Sequence, residues 1–79
     1  MKYEQQLIDI ISRAKQLPTL APDQELIASG ILDSFDIITL VASIEERFSI
    51  LVDGEDINAT TFGTARAIAA LLESYEAGK

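Results

Sequence analysis

"GILDSFDIITLVASIEERF", residues 30–48, decides the fold. Counted at about 100° per residue, Ile37, Leu40, Val41, Ile44 and Phe48 fall on one side of a helix. Ser29-Gly30 supplies a bend ahead of this run, and Ser34 is of a residue type that caps a helix start. The pattern predicts a helix from Ser34 to Phe48, begun by Ser34. Its opposite side carries Phe35, Ile38, Thr39, Ala42 and Glu46, where solubility alone would favour charge. Either the preceding loop or another helix covers Phe35 and Ile38, or this mildly apolar strip, bordered by Asp36, Glu45 and Glu46, docks other proteins.

Upstream, Tyr3, Leu7, Ile10, Ile11 and Ala14 recur at three- and four-residue steps, predicting an amphipathic helix from about Lys2 to Lys15. Arg13 and Lys15 suit its negative end, and Leu17-Pro18 stops it. Residues 18–33 make a long connection containing Leu20, Leu26, Ile27, Ile31 and Leu32. Leaving these in water is unfavourable, so an ordered loop over the bundle is expected, with a helical turn from Asp23 to Ala28. Downstream, Asp53-Gly54 reads as a turn and Glu55 to Asn58 as a brief third helix with Ile57 inward. The last helix is expected to start at Thr60 or Thr61 and reach Tyr75, with Thr64, Ala65, Ile68, Leu71, Leu72 and Tyr75 on one face. Ala65, Ala67, Ala69 and Ala70 either leave room between helices or serve helix propensity alone.

These elements imply an all-α fold: a small four-helix bundle of three longer helices and one short third helix, with residues 1–79 as a single domain. The chain lacks cysteine and histidine, so a disulfide framework, a Cys/His metal site and the commonest catalytic base and nucleophile are absent. Neither a catalytic site nor a metal site is expected. Thirteen acidic against six basic residues give a net charge of −7, which disfavours nucleic acid and anionic membranes and favours basic patches on proteins. No signal-like or membrane-spanning run is evident, so a cytoplasmic monomer is the expectation.

Residues 30–48 also resemble the recognition segment of the acyl carrier and peptidyl carrier protein family. Its members show glycine, two apolar residues, Asp-Ser-Leu, an amphipathic helix and an acidic pair before phenylalanine. The first helix, ordered loop, short third helix and the "TTF" at 60–62 extend the resemblance over essentially the whole chain. Phe35 stands where leucine is usual, Thr39 where fatty-acid carriers are often acidic, and Arg47 beside the acidic pair.

The resemblance implies that Ser34 receives 4′-phosphopantetheine from coenzyme A through a phosphopantetheinyl transferase. The loaded protein then holds an acyl or aminoacyl cargo as a thioester, the missing thiol arriving with the prosthetic group. Asp33, Phe35, Asp36, Ile38, Ala42, Glu45 and Glu46 become partner-recognition residues. The implied partners are the transferase, an acyl- or aminoacyl-loading ligase or transferase, and synthase or condensing enzymes with basic docking patches. Fatty-acid, polyketide, nonribosomal-peptide and related pathways remain open; if the small residues of the last helix and Ala42 leave a gap between helices, a medium acyl chain is sheltered there, and otherwise the cargo lies outside the bundle. The alternative is an unmodified acidic helical interaction module, in which Ser34 is a helix cap and nothing more.

Overall fold

A computed structural model describes residues 3–78. Helix α1 covers Glu4–Lys15, α2 Ser34–Phe48 and α3 Ala65–Glu76, with a three-residue 3₁₀ turn at Gly54–Asp56 between α2 and α3. The all-α arrangement of three longer helices and one short element is thus present, and no strand occurs among the described residues. Helix α1 makes close backbone contact with both α2 and α3.

Helix α2 has the predicted bounds. The predicted start of the first helix at Lys2 lies outside the described residues; Glu4 occupies the first turn of α1 and Arg13 and Lys15 its last, complementing the helix dipole. Two other boundaries differ from expectation. The last helix begins at Ala65, because the hydroxyl that caps it is that of Thr64, which accepts the Ala67 N–H at 3.0 Å. Thr60 and Thr61 instead donate their N–H groups to Asn58 Oδ1, both at 2.9 Å, which holds them in a turn ahead of the helix. The short third element is Gly54–Asp56 rather than 55–58, since Asp53 caps it by accepting the Glu55 N–H at 3.0 Å.

The long connection is ordered, as its apolar content demands, but contains no helical turn at 23–28. A turn of α-helix would send the Leu26 N–H to the Pro22 carbonyl. Leu26 donates instead to the Gly63 carbonyl at 2.8 Å, and the Pro22 carbonyl accepts the Arg66 N–H at 3.0 Å. Gly63 is required there for a steric reason: a Cβ would lie 2.6 Å from the Ala59 carbonyl oxygen.

Leu7, Ile11, Leu26, Ile44, Phe62, Ile68 and Leu72 are fully buried, so all three helices and both connections feed one core. Each such side chain contributes roughly 1.5–3 kcal/mol relative to exposure. Tyr3 closes one end, its ring edge-on to Phe48 with centroids 5.0 Å apart and its hydroxyl donating to Glu76 at 3.0 Å. Ala14, predicted on the buried face of α1, is exposed near the helix end.

Candidate functional site

The entry to α2 is built by Asp33, which precedes the helix with extended backbone (φ −102°, ψ −174°). Asp33 Oδ1 accepts the Asp36 N–H at 2.8 Å, while Asp36 Oδ2 accepts the Asp33 N–H at 3.1 Å. This reciprocal capping box satisfies two backbone donors at once. The cap is therefore Asp33, correcting the expectation that Ser34 begins the helix as its cap. Ser34 is the first helical residue; it is exposed, and its hydroxyl has no hydrogen-bond partner among the described residues.

Lys15, at the end of α1, reaches across to Asp36 with Nζ 2.8 Å from Oδ2. This hydrogen bond is the main cause of a lowered Asp36 pKa, helped by the Asp33 N–H, and of a raised Lys15 pKa. Both groups are charged at neutral pH, and Lys15 partly offsets the two aspartates flanking Ser34. The Ser34 and Phe35 N–H groups, free of intrahelical partners at the helix start, remain open among the described residues. An esterified phosphate on Ser34 fits this corner: an exposed oxygen to carry it, open N–H donors and the positive end of α2.

Of the predicted recognition residues, Phe35 (74% exposed), Ile38 (67% exposed), Ala42 and Glu46 lie on the open side of α2, so neither the loop nor another helix covers them. Asp33 is exposed but occupied in the cap. The carboxylate of Asp36 is half-buried between Lys15 and the Asp33 backbone. Glu45 turns back on the chain, where Oε2 accepts the Val52 N–H at 3.1 Å and fixes the segment after α2. These three acids hold structure, a role their spacing did not announce; Lys15 was likewise assigned only to the helix dipole, since its partner is 21 residues away.

Of the two alternatives for the alanines of the last helix, no gap beside Ala42 is seen among the described residues. Ala65 and Ala69 are fully buried by their neighbours, whereas Ala42, Ala70 and Arg66 face outward. A cavity of about 40 Å³ lies instead between α1 and α2, lined by Ile10, Ile11, Ala14, Leu32, Thr39, Leu40 and Ser43 with the Lys15–Asp36 pair. A larger hollow of about 490 Å³ is open at the surface between the long connection and residues 59–64. No group of three or more metal-ligating residues occurs among the described residues, and no described helix is long and apolar enough to cross a membrane.

Comparison with known proteins agrees with this geometry. Residues 5–72 match the family described as the phosphopantetheine attachment site. The D-alanyl carrier protein of Bacillus subtilis is 31% identical over 70 residues, covering 86% of this chain and 90% of that protein. That of Staphylococcus saprophyticus is 29% identical over 75 residues, covering 92% and 96%. A holo acyl carrier protein from Nitrosomonas europaea superposes with a TM-score of 0.78 at 24% identity, covering 98% of this chain and 99% of that one. A structure of a Bradyrhizobium japonicum glycine:[carrier protein] ligase complexed with glycylated carrier protein aligns at 0.67 and 17% identity, covering 89% of this chain and 93% of that one. The last two likenesses concern the fold. With an exposed serine at the head of α2 and a family match spanning most of its length, the chain belongs to the phosphopantetheine-binding carrier proteins, whose prosthetic group is covalent 4′-phosphopantetheine.

Proposed function

We propose that Ser34 is the attachment residue and that the chain carries a small aminoacyl group, of the D-alanyl kind, between enzymes. The observation that carries the attachment is the division of labour at the start of α2: Asp33 and Asp36 cap the helix, leaving the Ser34 hydroxyl exposed and unpartnered. In the modification, Ser34 Oγ bonds to the β-phosphorus of coenzyme A as the phosphoanhydride bond to the nucleotide breaks, and the hydroxyl proton passes to a base of the transferase. The bound group supplies a thiol that holds cargo as a thioester. This chain's own residues orient the arm and present it: Asp33, Asp36 and Lys15 fix the helix start, and Phe35, Ile38, Ala42 and Glu46 offer a surface for enzymes with basic docking patches. The chain itself performs no catalysis, and residues 1–79 act as one cytoplasmic, monomeric carrier domain.

Two observations support a small cargo. The cavity between α1 and α2 is only about 40 Å³, the hollow of about 490 Å³ is open at the surface, and Ala65 and Ala69 of α3 are packed. The curated relatives at about 30% identity are D-alanyl carrier proteins. Incubation with coenzyme A, magnesium and a broad-specificity phosphopantetheinyl transferase, read by intact mass, tests the attachment. One phosphopantetheinyl addition is expected on the wild type and none on Ser34→Ala; an addition that survives Ser34→Ala overturns it. The modified protein, offered ATP, a D-alanine-activating ligase and labelled D-alanine, is then expected to gain thioester-bound label. Label gained instead only from fatty acyl donors would replace the cargo assignment.

A further inference from the structure

Of the chain's three lysines, Lys2, Lys15 and Lys79, the described structure places Lys15 beside the attachment corner. Its Nζ lies 2.8 Å from Asp36 Oδ2, and the same oxygen accepts the Asp33 N–H at 3.1 Å, so the ammonium is close to the backbone nitrogen of the residue that precedes Ser34. Ser34 is one residue on, a Cα spacing of about 3.8 Å. The Lys15 side chain nevertheless stays 32% exposed, so it is paired without being enclosed. The hydrogen bond to Asp36 is the main cause of its raised pKa, and the charges of Asp36 and Asp33 add to it. A thioester is an activated acyl group, and an amine converts it into an amide. A flexible arm rooted on Ser34 is free to fold back on its root, which holds its thioester around Lys15 at an effective concentration on the order of 1 mM.

We infer that Lys15 is the latent self-acylation site of the loaded chain, and that Asp36 restrains it. In that reaction the neutral Lys15 Nζ bonds to the carbonyl carbon of the cargo as the carbon–sulfur bond breaks; the sulfur leaves as the thiol, taking the proton that the nitrogen sheds. No oxidant or co-reactant is required. The amide is not returned to the thiol, so each event removes one carrier from service and deletes the positive charge beside Asp33 and Asp36. The restraint is the proton: an ammonium has no lone pair, and Asp36 keeps the proton on Lys15 while engaging Nζ in a hydrogen bond. Asp36 Oδ2 thus does two things at once, closing the capping box of α2 and silencing the amine. The inference rests on attachment at Ser34 and is independent of which acyl group is carried.

Transferase loading from acetyl-coenzyme A places an acetyl thioester on the chain directly, so no ligase and no D-alanine are involved. Wild type, Asp36→Asn and the Asp36→Asn/Lys15→Arg double variant are loaded, freed of acetyl-coenzyme A and held at about pH 9, where more of the amine is neutral. Remaining thioester is stripped with hydroxylamine and the peptides are mapped by mass for amide-bound acetyl. Asparagine keeps an oxygen for the Asp33 N–H, so the helix start persists, and arginine offers no reactive amine. Acetyl amide at Lys15 should accumulate roughly two- to fivefold faster in Asp36→Asn than in wild type, the hold expected of an exposed ion pair. Armless Ser34→Ala/Asp36→Asn chains mixed with the loaded ones should stay unlabelled. In parallel, the unmodified proteins are treated with a free thioester, S-acetyl-N-acetylcysteamine, and the same ratio between Asp36→Asn and wild type is expected at Lys15. Equal Lys15 rates in that comparison, labelling of the armless chains as fast as the loaded ones, or loaded chains that form no amide at Lys15 overturn the inference. Should Asp36→Asn refuse the transferase, the free-thioester ratio and the wild-type amide decide. If wild type gains no pantetheine, attachment at Ser34 has failed and self-acylation falls with it; pantetheine gained without a Lys15 amide leaves the attachment standing and overturns the inference alone.

Discussion

Replacing Asp33 with alanine tests the reading of the α2 entry. The substitution removes the oxygen that accepts the Asp36 N–H at 2.8 Å and leaves that donor to water. Loss of such a cap costs about 1 kcal/mol, within a range of roughly 0.5–2. In a domain of this size that lowers the melting temperature by about 4–8 °C. Asp33→Asn keeps an acceptor at the same place and should lose only a few tenths of a kcal/mol, as asparagine caps about as well. Ser34→Ala is the informative contrast. Its hydroxyl makes no hydrogen bond among the described residues and alanine is a strong helix former, so stability should stay within about 0.5 kcal/mol of wild type. Urea and thermal unfolding of the four proteins, followed by far-ultraviolet circular dichroism, give the comparison. A Ser34→Ala protein destabilised as much as Asp33→Ala, or an Asp33→Ala protein that melts with the wild type, refutes the assignment of the cap to Asp33.

Three further outcomes follow from the packing and charges. Asp36 has a lowered pKa, so its pairing contributes stability above its ordinary value of 3.8 that fades as pH falls through the lowered folded value; Lys15, raised, contributes below 10.5 and fades as pH rises through its own. The stability difference between wild type and Lys15→Met should accordingly be flat from about pH 5 to 9 and shrink at both extremes in melting curves. Glu45→Ala should cost about 1 kcal/mol by unpairing the Val52 N–H, and speed hydrogen exchange there, while Glu46→Ala leaves both unchanged. Ala69→Leu should destabilise by roughly 1–3 kcal/mol because the site is already filled; an acyl-sized gap at α3 would instead accept the larger side chain without loss.

Helix α2 was legible because its apolar residues repeat over four turns, a signal that local chemistry and core packing both reinforce. The start of the last helix was not, because Thr60, Thr61 and Thr64 are equally good caps in isolation and only Asn58, by taking two of their N–H groups, removes the first two from contention. The α2 cap carried a usable signal: Asp33 stands three residues before a carboxylate, as a capping box requires, whereas three residues after Ser34 comes Ile37. Exposed Phe35 and Ile38 were readable from the helical wheel. The turn of Glu45 toward Val52 and the bridge from Lys15 to Asp36 were not, since both depend on how separate segments meet in space.

The two backbone ties from the long connection to the start of α3, Leu26 to Gly63 and Arg66 to Pro22, bear on the life of the chain before it is complete. Leu32, just ahead of Ser34, donates to the Leu26 carbonyl, so the ground beneath the start of α2 is anchored through residues translated about thirty positions later. A growing polypeptide that has emerged only through α2 has the serine and its helix-forming sequence but lacks the partner that orders the approach to it. The approach to Ser34 therefore reaches its order only once residues 63–66 are in place to tie it down.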